Sequence, residues 1–185
     1  MTKPITTPRG KAIFPHLTEA DYKFKAEGEY HVKLECSKAE CENLINTVGT
    51  AIAGEVKKQH DQNPNKAITK APLPYEIMDD KVIFNFKMKA SGTRKADGKT
   101  FTQKPILLKA DQTPLEDGVQ IWGDSILRVV AEPYAWNMPI GIGCSLRLKT
   151  VQVIELVTGK GSNTLGDLQV EPVVEPKVNT SEAPF

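Results

Sequence analysis

The run SILRVVAEPYAWNMPIGIGCSLRLKTVQVIELV, residues 125–157, carries a cation and two flat rings at equal parity. In an extended strand, residues of equal parity share a face. Arg128, Glu132, Tyr134 and Trp136 therefore project one way, and Leu127, Val129 and Ala131 the other. After a Pro/Gly-marked turn in residues 137–143, a return strand repeats the pattern, with Leu146 and Leu148 on the apolar side and Arg147 and Lys149 opposite. A half-buried antiparallel pair with a basic and aromatic open face suits a ligand with phosphates and π-faces, which is single-stranded nucleic acid.

The densest basic segment lies upstream. Residues 81–109 hold eight Lys or Arg and one acid, Asp97. Within it, Val82, Phe84, Phe86 and Met88 alternate with Asn85, Lys87 and Lys89, so the two Phe side chains belong to a core and the lysines to the open face. SGTRKADGKT has the Ser-Gly and Asp-Gly signals of a hairpin loop and carries Arg94, Lys95 and Lys99, with Lys104 beyond it. Lysines on an exposed edge also serve solubility alone. Proximity to the aromatic strand pair is what makes phosphate contact the reading for Lys87, Lys89, Arg94, Lys95, Lys99 and Lys104.

Other chemistries find no support in the spacing. Cys36, Cys41 and Cys144 form no disulfide framework and lack a second Cys/His pair at zinc-like distance, and His16, His31 and His60 are scattered, so no metal or other cofactor is expected. No nucleophile–base pair, phosphate loop or paired carboxylate argues for an enzyme. The N-terminus lacks an apolar signal core, and no run approaches the ~20 apolar residues of a membrane span, so a soluble intracellular protein is expected. The formal charge of +1 conceals an asymmetry, since residues 158–185 carry four acids against Lys160 and Lys177. Net charge alone is no argument for nucleic-acid binding here; distribution is.

The elements that must position these residues follow from the remaining pattern. Residues 1–27, rich in Thr and Pro and without period, read as an arm packed over the domain. Tyr30, Val32, Leu34 and Cys36 alternate with His31, Lys33 and Glu35 as the first core strand. Ser37 and Glu40 form an S-x-x-E capping box, and Cys41, Leu44, Ile45, Val48, Ile52 and Val56 make one helical stripe, predicting an amphipathic helix over 38–60. Residues 61–80, with three prolines, are a surface excursion. Five or six antiparallel strands with one helix over 28–157 match an OB-fold barrel, with a β-sandwich as the alternative. Residues 158–185, mixing Gly, Pro, Val and Glu without period, read as a flexible tail.

The P-Y-x-W-N block at 133–137 with its following G-I-G-C-S, the strand ending V-I-E-L, the N-terminal PRG, the GEYHVKLE and FNFKMKASG strands and the terminal Phe resemble the single-stranded DNA-binding proteins of tailed bacteriophages of the podophage replication type. The resemblance implies an OB-fold and sequence-tolerant coating of single-stranded DNA in phage DNA replication, recombination and repair, in the cytoplasm of the infected host. It places Tyr134 and Trp136 at base stacking, beside Arg128 and Arg147. It implies a C-terminal tail whose Pro184 and Phe185 contact replication proteins (polymerase, helicase or primase), and it admits a homodimer. The tail departs from the densely acidic family pattern, being only −2. A structural β-protein of a phage particle, using the aromatic face as a protein interface, is the alternative.

Overall fold

Strict in–out alternation builds the sheet, and the computed structural model, which describes residues 3–65 and 67–158, shows how it closes. Its strands are β1 (Ile5–Thr6), β2 (Gly10–Asp21), β3 (Glu29–Ser37), β4 (Tyr75–Met78), β5 (Lys81–Lys89), β6 (Ser91–Thr93), β7 (Thr100–Thr102), β8 (Ile106–Leu108), β9 (Ile126–Met138) and β10 (Gly141–Glu155). The helix α1 spans Glu42–Gln62. The five long strands pair in the circular order β2, β3, β5, β10, β9 and back to β2. Only β5 and β10 run parallel in that ring. This is the five-stranded OB barrel, with short β1, β4 and β8 added along its edges.

The interior is what parity required. Val32, Leu34, Val82, Phe84, Phe86, Leu127, Val129 and Ala131 are completely buried, joined by Leu146, Leu148 and Val151. Phe84 and Phe86 are thus core rings, 6.2 Å apart between centroids. Leu44, Val48 and Ile52 bury the stripe of α1 against β9 and β10. Gly49 and Gly54 lie on its exposed side, where a methyl group would meet nothing within 4 Å.

Two local expectations fail for physical reasons. Residues 10–21, read as part of an arm, form the barrel's first strand, and Ala12 and Leu17 enter the core. Irregular pairing hid them: β2 slips register between Ile13 and His16 and again between His16 and Asp21, and Phe14 before Pro15 has φ 47°. Gly10 lets β2 pass over β3, since a Cβ there would lie 2.6 Å from both Cys36 Sγ and Leu34 Cγ. The capping box does not form either. Ser37 caps a 3₁₀ turn, Lys38–Glu40, without a side-chain bond, and α1 starts four residues later than expected. The Lys38 amide instead donates to the Asp80 carbonyl at 2.8 Å, tying the approach to the helix to the loop before β5.

Candidate nucleic-acid interface

The β9–β10 hairpin carries the aromatic face on a long, continuous ladder. Its register sets Tyr134 opposite Ser145, Trp136 opposite Gly143 and Glu132 opposite Arg147. Trp136 donates from Nε1 to Ser145 Oγ at 2.8 Å. Its ring lies on Gly143, where a Cβ would come within 2.5 Å of Trp136 Cζ2. The absent side chain leaves room for the indole to approach the β10 backbone, and the residue stays partly exposed. The Arg147 guanidinium stacks on Tyr134 with its carbon 3.4 Å from the ring centroid, a cation–π pair on a ring that is 44% exposed.

These side chains border a groove of about 810 Å³. β5 contributes Lys87 and Lys89, β10 contributes Ser145, Arg147 and Lys149, and β9 contributes Trp136 and Met138. The small hairpin β6–β7 adds Arg94 and Phe101, and Lys25 comes from the loop between β2 and β3. Of the site residues expected from sequence, Lys87, Lys89, Arg94, Trp136 and Arg147 come together here, with Tyr134 attached through Arg147. Lys95, Lys99 and Lys104 are exposed but do not line the groove. Arg128 is opposite Gln152, toward the far end of the β9–β10 ladder from Trp136. Pro184 and Phe185 lie outside the described residues.

Lys25, Phe101, Met138 and Lys149 were missed as site residues. Phe101 had a readable signal, a lone aromatic opposite Gly92 in the hairpin, where a Cβ would sit 3.1 Å from the ring. Lys149 had one as well, sharing parity with Arg147.

Acids in the groove (Glu29) and beside it (Glu27 and Glu132) temper its charge. Glu29 bonds Lys25 and lies 3.5 Å from Lys87, Glu27 holds Lys89 at 2.9 Å, and Glu132 holds Lys149 at 3.2 Å. For Glu29, partial burial alone would raise the pKa, but the bond from Lys25 and the charge of Lys87 outweigh it and hold the carboxyl below its usual range. The Cys144 thiol beneath the groove is pushed up by burial, as are Cys36 and Cys41, so all three stay protonated near neutral pH. No helix among the described residues is long and apolar enough to cross a membrane.

His16 and His31, scattered in sequence, are neighbours in space, with ring centroids 4.7 Å apart. His31 Nε2 lies 3.3 Å from Asp21 Oδ2.

No family model matches the chain. It is 29% identical over 142 residues to the single-stranded DNA-binding protein of Escherichia phage T7, an alignment covering 69% of this chain and 61% of that protein. The chain therefore spans less than two thirds of that relative's length. The crystal structure of gp2.5, a single-stranded DNA-binding protein encoded by bacteriophage T7, superposes with a TM-score of 0.73 at 24% identity, covering 94% of this chain and 97% of that one. The single-stranded DNA-binding protein from bacteriophage Enc34, in complex with single-stranded DNA, superposes with a TM-score of 0.56 at 15% identity, covering 85% and 89%. The chain is thus similar in sequence to the single-stranded DNA-binding protein of phage T7, and it shares the fold of the solved phage single-stranded DNA-binding proteins.

Proposed function

We propose that the chain binds and coats single-stranded DNA without strong sequence preference during phage DNA replication and recombination, in the cytoplasm of an infected bacterium. The observation that carries this reading is the groove beside the β9–β10 hairpin, where Trp136 and the Arg147-stacked Tyr134 stand among Lys87, Lys89 and Arg94. Every base has a π-face, so stacking platforms tolerate sequence, and the cations meet the backbone. The kinship with phage proteins of that name and the Enc34 complex support the same reading.

Fluorescence titration with poly-dT tests it. In a Trp122→Phe background, where Trp136 is the remaining indole, addition of poly-dT quenches the emission. An unchanged signal and no mobility shift would instead favour a phage-particle protein with an aromatic protein interface.

The second part of the proposal concerns residues 158–185. A terminal Phe carries an apolar ring and the α-carboxylate together, a combination that fits a pocket lined by a basic residue on another protein. Phe185, with Pro184, is proposed to recruit a replication protein such as the phage polymerase, helicase or primase. Deleting the last residues is expected to abolish capture of that partner in a pull-down and to tighten single-strand binding by less than about 1 kcal/mol, the scale of exposed ion pairs. Full retention of the partner by the truncated chain would refute the recruitment role.

A further inference from the structure

We propose that His16, Asp21 and His31 form a binding site for a divalent transition metal, zinc by donor chemistry, on the outer face of the β2–β3 strand pair. One ligand atom from each of the three lies within 4.8 Å of the others. Two imidazole nitrogens and one carboxylate oxygen are a donor set that suits Zn²⁺ and its neighbours, with a fourth position left for water.

The backbone brings the three to one face by an irregular route. From the Ile13–Lys33 pair to the His16–His31 pair, β2 advances three residues while β3 advances two. From there to the Asp21–Glu29 pair, β2 advances five against two on β3. Each step is odd on β2 and even on β3, so each inserts an odd surplus. A regular strand would put His16 and Asp21, five apart, on opposite faces. The two irregularities put both on the face of His31. The first contains Phe14, at φ 47° and immediately before Pro15, a conformation that a bulky residue adopts only when the surroundings impose it.

Distances suit a metal as well. His16 and His31 are direct cross-strand partners, and Asp21 Oδ2 already stands 3.3 Å from His31 Nε2. That separation matches the edge of a tetrahedron with metal–ligand bonds of about 2.0 to 2.1 Å. His16 is exposed and free to rotate into place, and the Lys23 amide donates to Asp21 Oδ1, orienting the carboxylate. Lys25, Lys33 and Lys87 line the same depression. Two of them, Lys25 and Lys87, are engaged by Glu29. A bound ion would clamp the end of β2 to β3 at the base of the loop that supplies Lys25 to the groove.

The test uses the full chain and needs no DNA. Co²⁺ titration is expected to produce the visible absorption of low-symmetry four-coordinate cobalt, with Zn²⁺ displacing it at one equivalent. His16→Ala, at an exposed position, is expected to weaken Zn²⁺ binding in calorimetry by at least about ten-fold, and His31→Ala likewise, while His60→Ala leaves it unchanged. Zn²⁺ should also raise the melting temperature of the parent protein but not of His16→Ala. Absence of the cobalt band, or equal binding by the parent and His16→Ala, would overturn the proposal and leave the three residues as a hydrogen-bonded surface cluster.

Discussion

Two basic regions border the groove, and they are built differently. On the β9–β10 side the functional groups are held: Arg147 by the Tyr134 ring, Trp136 by Ser145 and Gly143, and Lys149 by Glu132. On the β6–β7 hairpin, Arg94, Lys95 and Lys99 make no ion pair among the described residues. That hairpin is a separate two-stranded sheet, fastened near its base through Ser91 to the Glu27 carbonyl and Gln103 to the Ala90 carbonyl. On the proposed DNA-binding reading, one region is preorganised to stack bases and the other offers charge that makes no ion pair among the described residues. The first should set affinity per base and the second the response to salt.

The largest effect expected from breaking this contrast is on the rigid side. Trp136→Ala should cost about 1 to 3 kcal/mol of single-strand affinity without unfolding the domain, and with an unaltered salt slope. Gly143→Ala, which dislodges the same ring, should reproduce part of that loss. If Trp136→Ala unfolds the protein in a thermal melt, the ring is structural and the contrast fails.

On the β6–β7 hairpin, Arg94→Ala with Lys95→Ala should weaken all sequences alike. The slope of log affinity against log salt should flatten by about 0.7 for each phosphate that is no longer neutralised. A filter-binding series at several salt concentrations reads this directly, and an unchanged slope would reduce the hairpin to a solvated edge.

A smaller change, of opposite sign, is expected where groove acids engage the lysines. Glu29→Gln frees Lys25 and Lys87 and should tighten binding, by less than about 1 kcal/mol for exposed pairs. The same carboxylate gives a pH signature. Its folded pKa is depressed, so its contribution to stability is present above the unfolded Glu pKa and is lost as pH falls through the folded value. Denaturant melts of parent and Glu29→Gln should converge at acid pH; curves that stay equally separated would assign the difference to something other than this charge.

The smallest effect should leave both regions untouched. Gly49→Ala, on the exposed side of α1, should add up to about 1 kcal/mol of stability and leave DNA affinity unchanged, a control for the variants above.

The barrel strands with one face in the core were legible because period-two alternation is written residue by residue in 30–36, 82–88, 127–134 and 144–148. β2 was not, because GKAIFPHLTEAD spends its odd residues on irregularities that erase the period. For the same reason no spacing rule brings His16 to His31. Tyr134, Trp136 and Arg147 were legible as a shared face, but the pairing of Lys87 with Glu29 depends on β3–β5 register, which single-strand parity leaves free. The capping box failed because Ser37 makes no side-chain capping bond and opens a 3₁₀ turn, while the approach to the helix is tied by a tertiary bond from the Lys38 amide to Asp80, which sequence spacing does not show.

The circular strand order also fixes when the site can exist during synthesis. β2, β3 and β5 emerge first and can pair as an open sheet, with β4 covering the start of β5, but the edge of β2 waits for β9 and the remaining edge of β5 for β10. The hairpin that completes the cylinder is the one that carries Tyr134, Trp136 and Arg147. A chain emerging from the ribosome therefore displays its basic β5 and β6–β7 segments before its stacking platform, and the groove appears only in the step that also closes the core. A chain arrested before residue 141 would lack β10 and with it one wall of the groove, so the proposed binding surface is assembled only as the barrel closes.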